Sequence, residues 1–165
     1  MKEAPSGRTS ARGLRVVLLR SAFNRKTVDG LVDGARSALA EMGAAGASVE
    51  VVDVPGAFEL PLAAQAAARS RRFDAVVALG AVIRGDTDHY EHIAREAAAG
   101  LAAVARETGM PVGFGVLTCA TEEQARVRSA PGPANKGAEA ARAAVAMVHV
   151  LRAFAAKTQG KQGNR

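Results

Sequence analysis

Short apolar runs alternate with longer amphipathic runs along most of the chain. Four runs have the length and composition of strands, and the third is a continuous apolar run as expected of a buried parallel strand. They are residues 14–19, 48–54, 73–80 and 111–117. After the first run, apolar side chains recur at helical spacing at Val28, Leu31, Val32, Ala35, Leu39 and Met42. The pattern therefore predicts strands that alternate with helices.

Cap and turn residues predict the bounds of the helices. We place helices at 24–42, at about 58–71, from 89 to 108, and from about Asn135 to Ala155. Gly43 and Gly109 mark the C-terminal ends of the first and third of these helices. A shorter helix begins at Thr121, which is a candidate cap with Gln124 three residues later, and it precedes a Pro-Gly-Pro break.

The connections between strands are too long for hairpins, which predicts parallel pairing through right-handed crossovers. The expected fold is α/β, a three-layer doubly wound sandwich with a four-stranded parallel sheet of flavodoxin-like type. We expect one domain over residues 14–156. Residues 1–13 are expected to form a disordered or extended tail, and residues 157–165 a basic tail.

Charge and composition exclude several classes of function. The net charge is +6, but residues 1–13 contribute +2 and residues 157–165 contribute +3, so the middle is nearly neutral. Only 4% of residues are aromatic, which argues against nucleic-acid binding. No apolar run approaches the ~20 residues of a membrane span, and the N-terminus lacks a secretory h-region. The single cysteine, Cys119, excludes an internal disulfide and fits a cytoplasmic location.

Candidate chemistry is expected where parallel strands end, because doubly wound sheets bind ligands at their carboxyl edge. The four loops there are residues 21–24, 55–59, 81–89 and 118–121. In the first loop, Phe23 is either a core plug or a ring that stacks on a planar ligand, and Asn24 is either a helix cap or a ligand contact. In the second loop, Glu59 either complements a helix dipole or accepts hydrogen bonds from a ligand.

The third loop combines an anion site with a titratable group. Gly85, Asp86 and Thr87 lie directly before a helix, where backbone N–H groups can bind one phosphate. His89 follows and could transfer protons near neutral pH. Asp86, Asp88, His89 and His92 could instead bind a metal, but the spacing of a zinc helix is missing and we predict no metal. His92 and His149 are interpreted as structural.

The remaining candidates follow the fourth strand. Arg128 is either a solvated charge or a bidentate phosphate clamp. The sequence has no nucleophile elbow and no dinucleotide fingerprint. These residues predict a cofactor-free α/β site that binds a small phosphate and a planar partner, with one histidine for proton transfer.

Four motifs in order resemble the lumazine synthases over about residues 14–150. They are VPGAFELPLAAQ, GAVIRGDTDHYEHI, GFGVLT and NKGAEAA, together with Phe-Asn after the first strand. The resemblance implies that 5-amino-6-(D-ribitylamino)uracil condenses with 3,4-dihydroxy-2-butanone 4-phosphate to give 6,7-dimethyl-8-ribityllumazine, without cofactor or metal. The alternatives are a non-catalytic shell or flavin-binding protein of this fold, and another flavodoxin-like phosphate-binding enzyme.

The resemblance also implies a role for each matching residue. The residues that would bind the pyrimidine ring and the ribityl chain are Phe23, Asn24, Ala57, Phe58, Glu59, Ala81, Val82, Ile83, Phe114 and Lys136. Phosphate binding falls to Gly85, Asp86, Thr87 and Arg128, and proton transfer to His89. Phe114 and Arg128 would come from a neighbouring subunit of a pentamer, and riboflavin synthase is the one protein partner that the resemblance suggests.

Two departures from the family pattern concern phosphate binding and assembly. Asp86 places a carboxylate beside the expected phosphate, although its backbone N–H can still bind the anion. The segment 129–134 replaces the usual Gly/Lys-containing stretch but keeps the spacing from Arg128 to Lys136. Because no insertion lengthens this segment, we expect twelve pentamers to form a shell.

Overall fold

The computed structural model describes residues 9–162 and has the predicted α/β architecture. The strands are β1 (Val16–Ser21), β2 (Val49–Val54), β3 (Ala75–Ile83) and β4 (Val112–Cys119). The α-helices are α1 (Arg25–Glu41), α2 (Leu60–Ser70), α3 (His89–Thr108), α4 (Glu122–Ser129) and α5 (Lys136–Gln162). Short 3₁₀ turns, Gly46–Ser48 and Ala57–Glu59, precede β2 and α2. Residues 1–8 and 163–165, which belong to the two predicted tails, lie outside the described part.

The sheet is parallel throughout and has the order β2-β1-β3-β4. Alternate residues of β1 pack on opposite faces: Val16 and Leu18 lie in the core with α1 and α5, and Val17 and Leu19 in the core with α2 and α3. The result is the predicted three-layer, flavodoxin-like sandwich. Within the described residues, no helix has the length and hydropathy of a membrane span.

Capping residues in the sequence correctly predicted where two helices end or begin. Gly109 has a left-handed φ of 70°, and its N–H donates to Ala105 O, so α3 stops where the sequence predicts. Thr121 Oγ1 accepts a hydrogen bond from Gln124 N at 3.2 Å. This side-chain bond satisfies one of the free N–H groups in the first turn of α4.

The structure differs from the sequence prediction near both ends of the chain. Ala11 was assigned to the N-terminal tail, but it is fully buried and its N–H donates to Met42 O at 2.9 Å. Helix α5 continues to Gln162, beyond the predicted end at Ala155 and into the predicted basic tail. Lysine and glutamine are good helix formers, and no proline interrupts residues 156–162, so net charge was the wrong criterion for the end of the helix.

Ser21, the last residue of β1, is fully buried, and its hydroxyl is not hydrogen-bonded to any described residue. We expect Ser21→Ala to leave the free energy of unfolding unchanged or to raise it by up to about 1–3 kcal/mol, because it removes an unpaired polar group. Urea denaturation measures this change. Ser129→Ala is the matched control and should destabilise the chain, since Ser129 Oγ donates to Arg126 O at 3.3 Å. A clear loss of stability in Ser21→Ala would contradict the expectation.

Candidate active site

A cleft of about 470 Å³ opens at the carboxyl ends of β1 and β3. These strands are neighbours in the sheet, but the chain leaves β1 toward β2 and leaves β3 toward β4. The loops after them therefore diverge, and a doubly wound sheet forms its binding crevice at such a point. The cleft is lined by Phe23, Asn24, Gly56, Ala57, Phe58, Glu59, Ala81, Val82, Ile83, Gly85, Thr87, His89, Tyr90 and Ile93.

The first two loops bring an aromatic ring and a carboxylate together. The side chain of Phe23 is 71% exposed, which rules out the interpretation as a core plug. A Cβ placed on Gly56 would lie 3.4 Å from the Phe23 ring and 3.1 Å from Glu59 Oε2. Glycine at this position therefore leaves room for the ring and the half-buried carboxylate to lie close to the same backbone turn.

Asn24 occupies the N-cap position of α1, but its side chain makes no capping hydrogen bond. Its backbone has a left-handed φ of 53°, which asparagine adopts more readily than most residues. The side-chain Nδ2 donates instead to Ala81 O at 2.8 Å. The interpretation as a side-chain cap was therefore wrong, and the bond ties the end of β1 to β3.

The third loop presents the N-terminus of a long helix to the cleft. His89 is the first residue of α3 and is exposed, and its N–H donates to Thr87 Oγ1 at 3.4 Å. That bond uses the Thr87 hydroxyl as an acceptor and leaves its proton available to a ligand. A Cβ on Gly85 would meet no atom within 4 Å, so space is open beside the loop. The first-turn N–H groups and the helix dipole favour an anion here.

A metal was the alternative interpretation of this loop. In the part of the chain that the structure describes, no three His, Cys, Asp or Glu side chains are grouped closely enough to hold a metal ion. Asp86 is exposed and does not line the cleft. The loop therefore offers backbone and hydroxyl donors rather than a converging set of ligands.

Sequence analysis missed two cleft residues, Tyr90 and Ile93. Tyr90 is half-buried, and the Arg84 guanidinium lies 5.8 Å from the centre of its ring. The signal for the two α3 residues is helical spacing. Ile93 lies four residues after His89 and three after Tyr90, so all three share the first turns of one helix face.

Three predicted residues lie elsewhere on the chain. Phe114, on edge strand β4, is 49% exposed. The Arg128 guanidinium donates to Gln124 O at 3.0 Å, and Lys136 Nζ lies 2.5 Å from Glu139 Oε2. None of the three lines the cleft formed by the same chain.

The fourth predicted loop is also absent from the cleft lining. The expectation that all four loops share one site was wrong within a single chain. The reason is topological: the loop after β4 leads into α4, which packs beside α1 on the opposite face of the sheet from α2 and α3. Between α1 and α4 lies a separate groove that contains Glu122, Glu123 and Arg126.

Two groups outside the cleft, Asp53 and Cys119, have a shifted pKa. Arg20 Nε is 2.6 Å from Asp53 Oδ1, and this hydrogen bond holds the pKa of the Asp53 carboxyl below its usual value. Burial raises the pKa of the Cys119 thiol, partly opposed by the charge of Arg128, and a buried neutral thiol is a poor nucleophile. The Arg20–Asp53 pair links the carboxyl ends of β1 and β2. The neutral Cys119 thiol gives no support for covalent catalysis.

Comparison with known proteins decides the family. The family model described as 6,7-dimethyl-8-ribityllumazine synthase matches residues 13–152. A 6,7-dimethyl-8-ribityllumazine synthase from Syntrophus aciditrophicus (strain SB) is 46% identical over 152 residues, which are 92% of this chain and 99% of that relative. The chain belongs to the 6,7-dimethyl-8-ribityllumazine synthase family. The family match contains all four strands and every residue of the cleft, and it ends inside α5.

Proposed function

We propose that this chain condenses 5-amino-6-(D-ribitylamino)uracil with 3,4-dihydroxy-2-butanone 4-phosphate, releases phosphate and water, and forms 6,7-dimethyl-8-ribityllumazine. This is the penultimate step of riboflavin biosynthesis. One observation carries the proposal: in a member of this family, an exposed aromatic ring, a carboxylate, a helix N-terminus and a histidine line a single cleft. No cofactor or metal takes part in the proposed reaction.

The pyrimidine substrate is assigned to the half of the cleft that holds Phe23 and Glu59. The Phe23 ring stacks on the flat pyrimidine, which requires the exposure that this side chain has. Glu59 accepts hydrogen bonds from ribityl hydroxyls, and Asn24 keeps the two loops around the pyrimidine together through its bond to Ala81 O. The remaining contacts are assigned to the backbone and side chains of Ala57, Phe58, Ala81, Val82 and Ile83.

The phosphate is assigned to the N-terminus of α3. Backbone N–H groups of Gly85, Asp86 and Thr87 bind the anion, and the 20-residue helix directs the positive end of its dipole toward it. Arg128 from a neighbouring subunit supplies a planar pair of donors. The Asp86 carboxylate opposes phosphate binding electrostatically, so its contribution comes from the backbone.

The chemistry requires proton transfers but no protein nucleophile. The 5-amino group adds to the ketone and water leaves, which gives an imine. Phosphate is then eliminated, and the ribityl-bearing nitrogen closes the ring on the new carbonyl with loss of water. His89 takes and returns protons during these steps. Holding both substrates together contributes up to ~7–11 kcal/mol in the most favourable intramolecular models.

A closed ring of five chains is the proposed smallest active species. Phe114, Arg128 and Lys136 are absent from the cleft of their own chain, and a head-to-tail ring gives every cleft one neighbour that can supply them. Light scattering should give a mass of at least five times 16.9 kDa in active samples. A catalytically active monomer would rule out the shared site.

Higher assembly is a separate part of the proposal. Twelve pentamers are expected to form a shell, because the 128–136 segment has no insertion. Fully active free pentamers would refute the shell and leave the ring intact. Association with riboflavin synthase and a cytoplasmic location remain predictions.

The test of the proposed function is product formation by the purified chain. Mixing both substrates should produce the absorbance and fluorescence of 6,7-dimethyl-8-ribityllumazine, and omission of either substrate should abolish them. A non-catalytic shell or flavin-binding protein would give no product. Failure to bind the ribitylaminouracil would instead favour a different phosphate-binding enzyme.

A further inference from the structure

Asn135 is a buried polar side chain to which the proposed reaction gives no role. It is 2% exposed and lies directly before α5. The two N–H groups of its Nδ2 are shared among three carbonyl oxygens: those of Gly30 at 3.0 Å, Ser129 at 2.9 Å and Ala130 at 3.1 Å. Its Oδ1 accepts from Ala138 N at 3.0 Å. One side chain therefore connects α1, the end of α4 and the first turn of α5.

Glycines make room for these contacts. A Cβ on Gly30 would lie 2.5 Å from Ser129 O, and a Cβ on Gly34 would overlap the Asn135 side chain. A Cβ on Gly137 would overlap the backbone of α1. Any larger residue at these three positions would push α1, α4 and α5 apart.

We propose that Asn135 is a positioning residue for two cations of the site: Arg128, which is assigned to the phosphate, and Lys136, which is assigned to the pyrimidine substrate. The inference rests on the proposed function. Arg128 directly precedes Ser129, whose carbonyl Asn135 holds, and Lys136 directly follows Asn135 in the chain. The intervening residues 130–134 form an irregular, mostly exposed segment. The Asn135 side-chain bonds join the two ends of this segment, in addition to the packing of α4 and α5 on α1.

The same side chain connects the cations to the other half of the site. Gly30 lies in the second turn of α1, and α1 begins directly after Phe23 and Asn24. The aromatic loop and the two cations are thus attached to one packed unit of α1, α4 and α5. In a ring of subunits, this unit would present the cations to the neighbouring cleft in a fixed orientation.

Two variants disturb the unit in different ways. Asn135→Asp keeps the Oδ1 acceptor for Ala138 N but replaces the donor with an oxygen that faces three carbonyls. Gly30→Ala keeps Asn135 but presses on Ser129 O. The matched control is Gly46→Ala, because a Cβ at Gly46 meets nothing within 4 Å and its φ is not left-handed.

The readout is the steady-state KM of each substrate, measured together with kcat and the urea unfolding midpoint. Both variants should raise the KM for the butanone phosphate by about 10- to 100-fold, as displacement of a positioned group by about 1 Å can do. The KM for the pyrimidine should rise less, because Phe23 and Glu59, its main contacts in the proposed site, are not replaced. Gly46→Ala should match the wild type in every measurement.

A purely structural role would lower the unfolding midpoint while the folded variants kept the wild-type KM for both substrates, and that result would overturn the proposal. An equal rise in both KM values would also overturn it. If Asn135→Asp does not fold, Gly30→Ala decides the question. Absence of product from the wild-type chain, assayed in parallel, would instead refute the proposed function itself.

Discussion

Replacing His89 with alanine is expected to lower kcat about 100-fold, the low end for a positioned acid–base group. Among the residues that the structure describes, His89 is the only histidine in the lining of the cleft, and it lies beside the expected phosphate site at the start of α3. Imine formation, phosphate elimination and ring closure each move a proton that an imidazole can carry near neutral pH. Some activity should remain, because the cleft still holds both substrates and water can transfer protons.

The measurement is the initial rate at saturating concentrations of both substrates. His92→Ala is the matched control: His92 lies one turn farther along α3, is exposed and does not line the cleft. It should retain the wild-type kcat. An unchanged kcat in His89→Ala would remove His89 from the mechanism.

Replacing Arg128 with alanine is expected to raise the KM for the butanone phosphate about 10- to 100-fold, which corresponds to the loss of hydrogen bonds to a charged group. In the isolated chain the guanidinium is exposed and donates only to Gln124 O of its own helix, so it can be redirected to a ligand. The KM for the pyrimidine should change little, since that substrate is assigned to Phe23 and Glu59 in the proposed site.

Two further variants separate the phosphate role from a general effect of charge. Arg128→Lys should recover only part of the loss, because an ammonium group cannot reproduce the planar pair of donors. Arg126→Ala, on the same helix, should leave both KM values unchanged, since Arg126 already pairs with Glu123 at 2.6 Å. An equal loss of affinity for both substrates in Arg128→Ala would count against a phosphate role.

The periodicity of the chain was sufficient to predict the layers of the fold. Residues 73–80 form a continuous apolar run, which is typical of a central parallel strand, and β3 is indeed buried along nearly its whole length. Gly109 and Thr121 predicted helix ends because each meets a local backbone requirement. Ala11 could not be assigned in this way, because one small residue among polar neighbours has no period and its burial depends on a contact with Met42 O.

The composition of the cleft was predictable where loop position determines it. Phe23, Glu59 and His89 each follow a strand, and the sheet order brings these three loops to one crevice. The bond from Asn24 Nδ2 to Ala81 O was not predictable, because it joins residues 57 positions apart. That Phe114 and Arg128 lie away from the cleft of their own chain was implied only by the family resemblance, because local patterns do not show which face of the sheet α4 covers.

The contacts of Asn135 are a further example of long-range contacts that the sequence pattern does not predict. The Asn-Lys-Gly triplet is recognisable only as part of a family motif. Gly30 and Gly34 do not stand out in the amphipathic pattern of α1 as packing positions. The role that these residues share is visible only in the packed structure. There, the glycines of α1 leave space for the Asn135 side-chain amide, which is distant in sequence. Close packing between distant segments is the part of the site that local propensity does not determine.

The most direct test of lumazine formation in a cleft completed by a neighbouring copy is to mix two variants that are both slow when the butanone phosphate is well below its wild-type KM, and to assay them under that condition. His89→Ala and Arg128→Ala chains would be unfolded, combined in equal amounts, refolded together and assayed for 6,7-dimethyl-8-ribityllumazine. In randomly mixed head-to-tail rings, about one quarter of the clefts combine an intact His89 with an intact Arg128 from the neighbour. The account predicts recovery of about one quarter of the wild-type rate, whereas a mixture no more active than its two parents would contradict it.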